Sequence, residues 1–473
     1  MKYVSTRGEA PTLAFDDVLL TGLARDGGLY MPESWPQFST GEIASFAGLS
    51  YTDLAFQVIQ PFVVGAIADA DLKCIIENAY SHFDTDEVAP LTELGDGEWI
   101  MELFHGPTLA FKDVAMQFLG PLFDHVLATR GEHICIVGAT SGDTGSAAIE
   151  ACRDRDNIDI FILYPHNRVS DVQRRQMSTV TSPNVHTIAI RGTFDDCQDT
   201  VKALFNDLAF RDRMNLSAVN SINWVRIVTQ IVYYFWAALK VGVPALPVSF
   251  AVPTGNFGNV FAGYGAHRMG LPVEQLIVGS NANDILVRFF ESGTMEIDTV
   301  VPTISPSMDI QISSNFERLL FELYDRDGAL VARTLNTFRS DGQFAVDADI
   351  LARVREIFDG GRHPDGQTRA FIADHFAKTG ELLDPHTAVG LAVGRTHRRN
   401  TSTPMVTLAT AHPAKFPDAV EAASGIHPEL PAHMADLFER NERINVLPND
   451  LATVRGFIID RAKGAGRNGG TAA

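Results

Sequence analysis

The sequence has few cysteines, little basic charge and no long apolar run. Only four of its 473 residues are cysteine. None form a Cys-x-x-Cys pair, so neither a disulfide scaffold nor a metal site is indicated. The 38 Lys+Arg against 58 Asp+Glu leave a net charge of −20, which argues against a surface for nucleic acid or for an anionic membrane. The most apolar stretch, residues 227–239, is too short to span a bilayer and predicts a buried helix. The N-terminus lacks the apolar region of a secretion signal, so we expect a cytoplasmic location.

From about residue 100 onward, short apolar segments alternate with amphipathic ones. The apolar segments predict strands at 133–138, 158–165, 185–190, 248–253 and 405–410, and the amphipathic ones predict helices at 144–153, 194–208 and 259–268. This alternation is typical of a parallel sheet with helices on both faces, so the pattern predicts an α/β fold. Nearer the N-terminus, residues 51–66 have helical periodicity, and Pro61 predicts a break in that helix.

The first segment that could support chemistry is LFHGPTLAFKDVAMQFLG, residues 103–120, where Lys112 lies in an apolar run. Burying a lysine is costly unless it is paired, and burial favours the neutral amine, which is the form that attacks a carbonyl. Alternatively, Lys112 reaches solvent from an amphipathic helix with Asp113 as its neighbour. This segment alone favours the second interpretation.

Two loops each follow a predicted strand and precede a predicted helix, which is the arrangement of an anion site at a helix N-terminus. They are ATSGDTG at 139–145 and TGNFGN at 254–259. Glycines in the second loop allow the backbone to approach a ligand, and its asparagines can donate hydrogen bonds, which suits a phosphate. Either loop could instead be only a tight turn. Two anion sites together with a lysine in apolar surroundings suggest a phosphorylated aldehyde cofactor and a second anion. Pyridoxal phosphate fits this description.

Five motifs, in chain order, resemble the threonine synthase family of the bacterial and fungal type: HGPTLAFKD, VGATSGDTGSAA, NSINWVRI, PTGNFGN and TAHPAKF. STRG and GLARDGGLYMP also match, so the resemblance covers roughly residues 5–417. It implies a fold type II pyridoxal-phosphate enzyme with two parallel-sheet α/β domains and an additional N-terminal domain. The implied domains are residues 1–90 (N-terminal), 91–130 with 240–415 (large, cofactor-binding), 131–239 (smaller) and 416–473 (C-terminal extension).

The resemblance also implies a role for each matching residue. Lys112 would bind the aldehyde of pyridoxal phosphate and later move protons. The other cofactor-binding residues would be Gly255, Asn256, Phe257, Gly258 and Asn259 at the phosphate, Thr410 at the pyridine nitrogen and Asp143 beside the ring hydroxyl. The substrate-binding residues would be Ser141, Gly142 and Thr144 at the carboxylate, and Ser221, Asn223 and Arg226 at the substrate phosphate. The guanidinium of Arg226 matches phosphate geometry, although a surface ion pair is an alternative. His105 and His412 receive no role.

The implied reaction converts O-phospho-L-homoserine and water to L-threonine and phosphate, by γ-elimination followed by β-hydration. That makes the protein a carbon–oxygen lyase of threonine biosynthesis. One alternative is another fold type II enzyme such as a threonine dehydratase, whose substrate has no phosphate. An alternative of a different class is a non-catalytic α/β protein that binds a phosphate ligand and in which Lys112 is only structural. We expect a small-molecule substrate, no nucleic-acid partner and no membrane partner, and the oligomeric state is not predicted.

Overall fold

The computed structural model describes residues 1–218 and 221–463. These residues form two compact units. The first contains residues 1–115 and 221–429, and the second contains the described parts of 116–220 and 430–473. The division groups the chain differently from the four predicted domains, whose boundaries stay a prediction. No helix in the described ranges is long and apolar enough to cross a membrane.

The strands are short, and most of them begin at a β-branched or aromatic residue. In chain order they are β1 (Tyr3–Ser5), β2 (Tyr30–Pro32), β3 (Leu91–Gly95), β4 (Glu98–Glu102), β5 (Ile134–Ala139), β6 (Ile158–Pro165), β7 (Val185–Arg191), β8 (Leu216–Ser217), β9 (Val248–Pro253), β10 (Val273–Ser280), β11 (Thr294–Glu296), β12 (Gln343–Ala345), β13 (Phe358–Arg362), β14 (Met405–Ala409) and β15 (Asn445–Pro448).

Most helices lie between these strands, and near the N-terminus three helices follow one another between β2 and β3. In chain order they are α1 (Phe15–Thr21), α2 (Thr40–Ser45), α3 (Tyr51–Val63), α4 (Asp69–Tyr80), α5 (Lys112–Arg130), α6 (Asp143–Cys152), α7 (Asp171–Ser178), α8 (Phe194–Asn206), α9 (Leu208–Met214), α10 (Trp224–Lys240), α11 (Gly258–Arg268), α12 (Ile285–Ser292), α13 (Phe316–Leu323), α14 (Gly328–Asp341), α15 (Ala348–Ile357), α16 (Asp365–Thr379), α17 (Pro385–His397), α18 (Pro417–Ser424) and α19 (Leu451–Arg461). Short 3₁₀ turns occur at Pro306–Met308, Pro413–Lys415 and Ala432–Met434.

The main sheet of the first unit has the strand order β13-β10-β9-β14-β4-β3. Its strands pair in parallel, except that β3 and β4 form an antiparallel hairpin at one edge. Every residue of β9 and of β14 is buried, as is typical of parallel strands covered on both faces. Because these two strands are neighbours in parallel register, the loops that follow them begin at the same edge of the sheet.

The second unit contains a parallel sheet with the order β15-β7-β6-β5-β8. Its central strand β6 is buried along its whole length. One cluster of apolar side chains covers this sheet, with α8 and α19 contributing Leu204 and Ile458. Because β5 ends at Ala139, its connection to α6 starts at the carboxyl edge of the sheet.

The α/β prediction is confirmed, and the strands and helices predicted from about residue 100 onward lie within one or two residues of the observed ones. The apolar stretch 227–239 lies inside the buried helix α10, as predicted. The break predicted at Pro61 is wrong, because α3 continues through it to Val63. A proline this near the end of a helix removes one backbone hydrogen bond, while the buried Val58 and Phe62 keep the last turn packed. The β3–β4 hairpin was not predicted.

Candidate active site

Lys112 lies at the carboxyl edge of the main sheet of the first unit. The backbone N–H of Phe111 donates to the carbonyl oxygen of Thr410 at 2.9 Å. Ala110 forms a β-bridge with Ala411, directly after β14 ends. Lys112 is the first residue of α5, and only 8 % of its surface is exposed. It therefore does not reach solvent as the alternative interpretation required, and Lys112 and Thr410 are brought together.

A buried carboxylate holds the loop that precedes Lys112. Asp113 is fully buried and accepts hydrogen bonds from the backbone N–H of Thr108 at 2.8 Å and from its hydroxyl at 2.6 Å. Burial raises the pKa of Asp113 to about 6, although the nearby charge of Lys415 opposes the rise. Lys415 is itself fully buried and donates to the carbonyl oxygen of Thr108 at 2.6 Å. Asp113 and Lys415 therefore connect the HGPT motif to the AHPAK motif next to Lys112.

The loop TGNFGN connects β9 to α11 and has the form of an anion cradle. Phe257 adopts φ = 61°, a left-handed conformation, and caps α11 without a side-chain hydrogen bond. The N–H groups at the start of this helix, and its positive dipole end, can therefore bind an anion. A Cβ on Gly255 would lie 2.7 Å from the carbonyl oxygen of Ser307, so the loop has room only for glycine there.

Asn259 supplies an unpaired donor to this cradle. Its side-chain oxygen accepts a hydrogen bond from the Tyr233 hydroxyl at 2.6 Å, and the Tyr234 hydroxyl lies 3.2 Å away. Its buried Nδ2 has no partner among the described residues. A buried donor without an acceptor is costly, so this atom is suited to an anionic ligand. The cradle therefore fits the phosphate of pyridoxal phosphate on its own geometry.

Arg226 is a second unpaired donor, on the first turn of α10. Its side chain is buried, with 3 % of the residue exposed, and its Nε and Nη1 have no partner in the described part of the chain. Burial lowers its pKa to about 10. The alternative of a surface ion pair is wrong, because Arg226 is not on the surface. A buried guanidinium without a carboxylate indicates an anion that is bound during function.

Asn223 and Ser221 lie beside Arg226 but have other contacts. Asn223 caps α10 by accepting from the N–H of Val225 at 3.0 Å, and its Nδ2 donates to the carbonyl oxygen of Leu19 at 3.0 Å. Both ends of its amide are therefore already used within the protein, and its predicted role at a phosphate stays a prediction. The carbonyl oxygen of Ser221 accepts from Asn315 at 3.2 Å. The first residue of the NSINWVRI motif, at position 220, lies outside the described residues.

The remaining predicted residues share one loop of the second unit, between β5 and α6. The hydroxyl of Thr140 accepts from the N–H groups of Gly142 and Gly145 at 3.0 and 2.9 Å, which closes the loop tightly. Gly142 has φ = 142° and caps α6 without a side-chain hydrogen bond. Asp143 is buried and accepts from the Gln173 amide at 2.8 Å. Ser141 is exposed and Thr144 is half-buried.

Sequence analysis missed the segment Ser313–Asn315, which lies against the cradle. The Ser313 hydroxyl donates to the carbonyl oxygen of Gly255 at 2.7 Å. The amide of Asn315 donates to the carbonyl oxygen of Asn256 at 2.9 Å. The available signal was a polar Ser-Ser-Asn run directly before the apolar helix α13. Sequence analysis also missed Lys415. The available signal was its position in an apolar stretch of TAHPAKF, the motif that contains Thr410.

His105 and His412 lie within motifs, but their contacts are structural. His105 is held between Asp84 at 2.6 Å and Glu102 at 2.8 Å. Burial acts to lower its pKa, but the hydrogen bonds and charges of the two carboxylates outweigh burial and raise the pKa. Burial lowers the pKa of His412 to about 4, and its Nδ1 accepts from the N–H of Ala414 at 3.1 Å.

Three family models match the chain. They describe the threonine synthase N terminus at residues 2–80, a pyridoxal-phosphate dependent enzyme at 87–337, and the threonine synthase C-terminal region at 387–458. A threonine synthase of Pseudomonas aeruginosa is 60% identical over 459 residues, covering 97% of this chain and 98% of the relative.

Solved structures agree with the family models. The pyridoxal-phosphate-bound threonine synthase of Brucella melitensis has a TM-score of 0.96 at 55% identity, covering 98% of this chain and 100% of that one. The yeast threonine synthase has a TM-score of 0.93 at 41% identity, covering 97% and 98%. Fold and site together define a fold type II pyridoxal-phosphate enzyme, and its similarity to threonine synthases makes it a lyase of that class. Within that class, the chain belongs to the threonine synthase family.

Proposed function

We propose that the protein converts O-phospho-L-homoserine and water to L-threonine and phosphate. Its membership of the threonine synthase family supports this reaction. Arg226 is the observation that favours it over a dehydratase of the same fold, because its buried Nε and Nη1 are unpaired in the described chain. A dehydratase substrate has no phosphate that such a guanidinium could bind, whereas O-phospho-L-homoserine has one.

Pyridoxal phosphate, when bound, supplies an aldehyde for the lysine amine and a ring that disperses the negative charge of a carbanion. We infer that Lys112 binds the aldehyde, that residues 255–259 hold the cofactor phosphate and that the Thr410 hydroxyl faces the pyridine nitrogen. Once the substrate amine replaces it, Lys112 takes the α-proton and later returns a proton to the substrate carbon chain. Its 8 % exposure restricts access of bulk water to this amine.

The substrate itself needs two anion sites in this proposal. Ser141, Gly142 and Thr144 would bind the carboxylate through the tight loop before α6, and Asp143 would bind the ring hydroxyl of the cofactor. Arg226 binds the phosphate and stabilises the negative charge that this group carries as it leaves. Ser221, and the second Nδ2 proton of Asn223 that its bond to Leu19 does not use, would complete the phosphate site. Product phosphate competes with substrate for the same guanidinium.

The test uses purified holoprotein with O-phospho-L-homoserine. We expect phosphate and L-threonine to appear in equal amounts, and we expect no 2-oxobutyrate from L-threonine. Phosphate release without threonine would contradict the assignment, and 2-oxobutyrate formed from threonine as the main reaction would indicate a dehydratase. A Lys112→Ala variant with the same circular dichroism spectrum controls for contaminating phosphatase.

We also propose a cytoplasmic location and a small molecule as the only substrate class. The net charge of −20 supports the absence of a nucleic-acid partner, because an excess of acidic over basic side chains repels phosphate backbones. Fractionation of cells that express the tagged protein tests the location, and recovery of the activity in the membrane fraction would contradict it.

A further inference from the structure

One side chain joins the cofactor cradle to the segment that carries Arg226. Asn315 is the N-cap residue of α13 and is fully buried. Its Nδ2 donates to the carbonyl oxygen of Asn256 at 2.9 Å and to that of Ser221 at 3.2 Å. Its backbone N–H donates to Asn256 as well, at 3.1 Å. A single amide group therefore bonds the loop of one anion site and the segment that leads to the other.

Arg318 fixes the orientation of this amide. A guanidinium has only donors, so the Asn315 atom that Arg318 contacts must be the oxygen, and Nδ2 must face the two carbonyls. Arg318 is fully buried and also donates to the carbonyl oxygens of Tyr30 at 3.1 Å and Ile222 at 2.6 Å. The contact with Arg318 therefore fixes which end of the Asn315 amide faces the two carbonyls. The bond from Arg318 to Ile222 is a second link to the segment before α10.

The same turn of α13 is bonded to the N-terminal segment. Glu317 accepts from Nε and Nη2 of Arg7, each at 3.0 Å, and from the hydroxyl of Thr6 at 2.6 Å. Arg7 and Glu317 are both buried, so this bidentate pair is shielded from solvent. The position of Asn315 is therefore set from both sides, by the N-terminal STRG motif and by Arg318.

We propose that Asn315 is a positioning residue that sets the separation between the cofactor phosphate site and the substrate phosphate site. This inference rests on the proposed function, in which one substrate molecule must reach the cofactor with its amine and Arg226 with its phosphate. The Asn315 amide donates to Asn256 and Ser221, so in this proposal Asn315 acts through those two segments rather than by contact with a ligand. Its loss leaves both sets of ligand-binding atoms in the chain but releases one loop from the other, so a substrate that must engage both sites binds less tightly.

The test compares Asn315→Asp with the wild-type holoenzyme. The substitution keeps the shape and the acceptor that faces Arg318, and it removes the donors to Asn256 and Ser221. We expect the KM for O-phospho-L-homoserine to rise by about tenfold, as expected when two buried hydrogen bonds are lost. We expect kcat to fall less than KM rises, and the cofactor to remain bound at the protein concentration of the assay.

Asn184→Asp is the matched control. Asn184 is equally buried, and its Nδ2 donates to the carbonyl oxygens of Cys152 at 2.8 Å and Ile158 at 2.9 Å, within the second unit. The Asn184→Asp substitution should lower the melting temperature of the protein while leaving the KM for O-phospho-L-homoserine within twofold of the wild-type value. An unchanged KM in Asn315→Asp, or the same rise in both variants, would overturn the proposal.

A smaller variant, Asn315→Ser, keeps a good N-cap residue and serves if the aspartate variant does not fold. It should raise KM in the same direction, and an unchanged KM there would equally overturn the proposal. Failure of the proposed function is seen separately, as absence of threonine formation by the wild type. Inorganic phosphate cannot engage both sites at once and is the control ligand: its dissociation constant from Asn315→Asp holoprotein should stay close to the wild-type value, and a loss of phosphate affinity as large as the rise in KM would overturn the proposal.

Discussion

Replacing Arg226 by methionine should make the ligand-free protein more stable while it abolishes phosphate recognition. At pH 7 the arginine is charged in both the folded and the unfolded protein. Burial lowers its pKa in the folded protein from 12.5 to about 10. Each difference of one in pKa corresponds to about 1.4 kcal/mol, so burying this unpaired charge costs about 3 kcal/mol. Methionine has similar length and no charge, so Arg226→Met should raise the free energy of unfolding by up to about 3 kcal/mol.

The assay is urea unfolding of the holoprotein at pH 7 with and without inorganic phosphate, so that the cofactor fills the other anion site. For wild type, phosphate at a hundred times its dissociation constant should raise the free energy of unfolding by about 2.7 kcal/mol. Arg226→Met should show no such rise, and its KM for O-phospho-L-homoserine should increase by at least tenfold. The cofactor absorbance should be unchanged, because the cradle at residues 254–259 is a separate site.

Arg318→Met is the matched control for a buried arginine. Burial lowers the pKa of Arg318 to about 9, but its guanidinium has protein acceptors, which include the carbonyl oxygens of Tyr30 and Ile222. Its removal leaves those carbonyls unpaired, so the free energy of unfolding should fall. If Arg226→Met also lost stability without phosphate, or kept its stabilisation by phosphate, Arg226 would not be an unpaired anion-binding group.

Three further predictions concern the cofactor and the pH dependence of stability. Lys112→Ala should abolish turnover and the covalent attachment of the cofactor, while the circular dichroism spectrum stays unchanged. Mass spectrometry after borohydride reduction measures the attachment. Appreciable threonine formation by this variant would refute the role of Lys112. Asn259→Ala should weaken binding of pyridoxal phosphate by about tenfold but leave binding of pyridoxal unchanged, because only the phosphate meets Nδ2. His412 has a pKa of about 4 in the folded protein and 6.5 as its ordinary value, so stability is lost as the pH falls from 6.5 to 4. His412→Asn should reduce that loss by up to about 3 kcal/mol in urea unfolding at pH 7 and 4.5, and an equal loss in both proteins would contradict this.

Sequence patterns predicted the elements of the sheet well because their signal is local. The run VSFAVP at 248–253 became a wholly buried strand, as its continuous apolar character indicated. The loops after the strands were found for the same reason, since glycine and asparagine have specific conformational uses. Pro61 was misjudged because its effect depends on how near the helix end lies, which periodicity does not show.

The partners of the site residues could not be predicted, because they come from distant parts of the chain. Asn315 lies 94 residues from Ser221 and 59 from Asn256. Lys415 lies 307 residues from Thr108. Residue type alone does not tell a capping asparagine from one that joins two loops. Nor did the NSINWVRI motif show that the amide of Asn223 is occupied by Leu19 and Val225.

The pair of Arg7 and Glu317 has a consequence for how the chain folds during synthesis. The two residues are separated by 310 positions. At about 5–20 residues per second, Arg7 leaves the ribosome about 15–60 s before its carboxylate partner is made. Throughout that interval the N-terminal segment lacks the surface to which it binds, whereas the strands β5 to β7 are complete much earlier. The first unit thus begins with its N-terminal segment but can pack against that segment only after Glu317 has been made, and its early segments depend on protection from aggregation in the meantime.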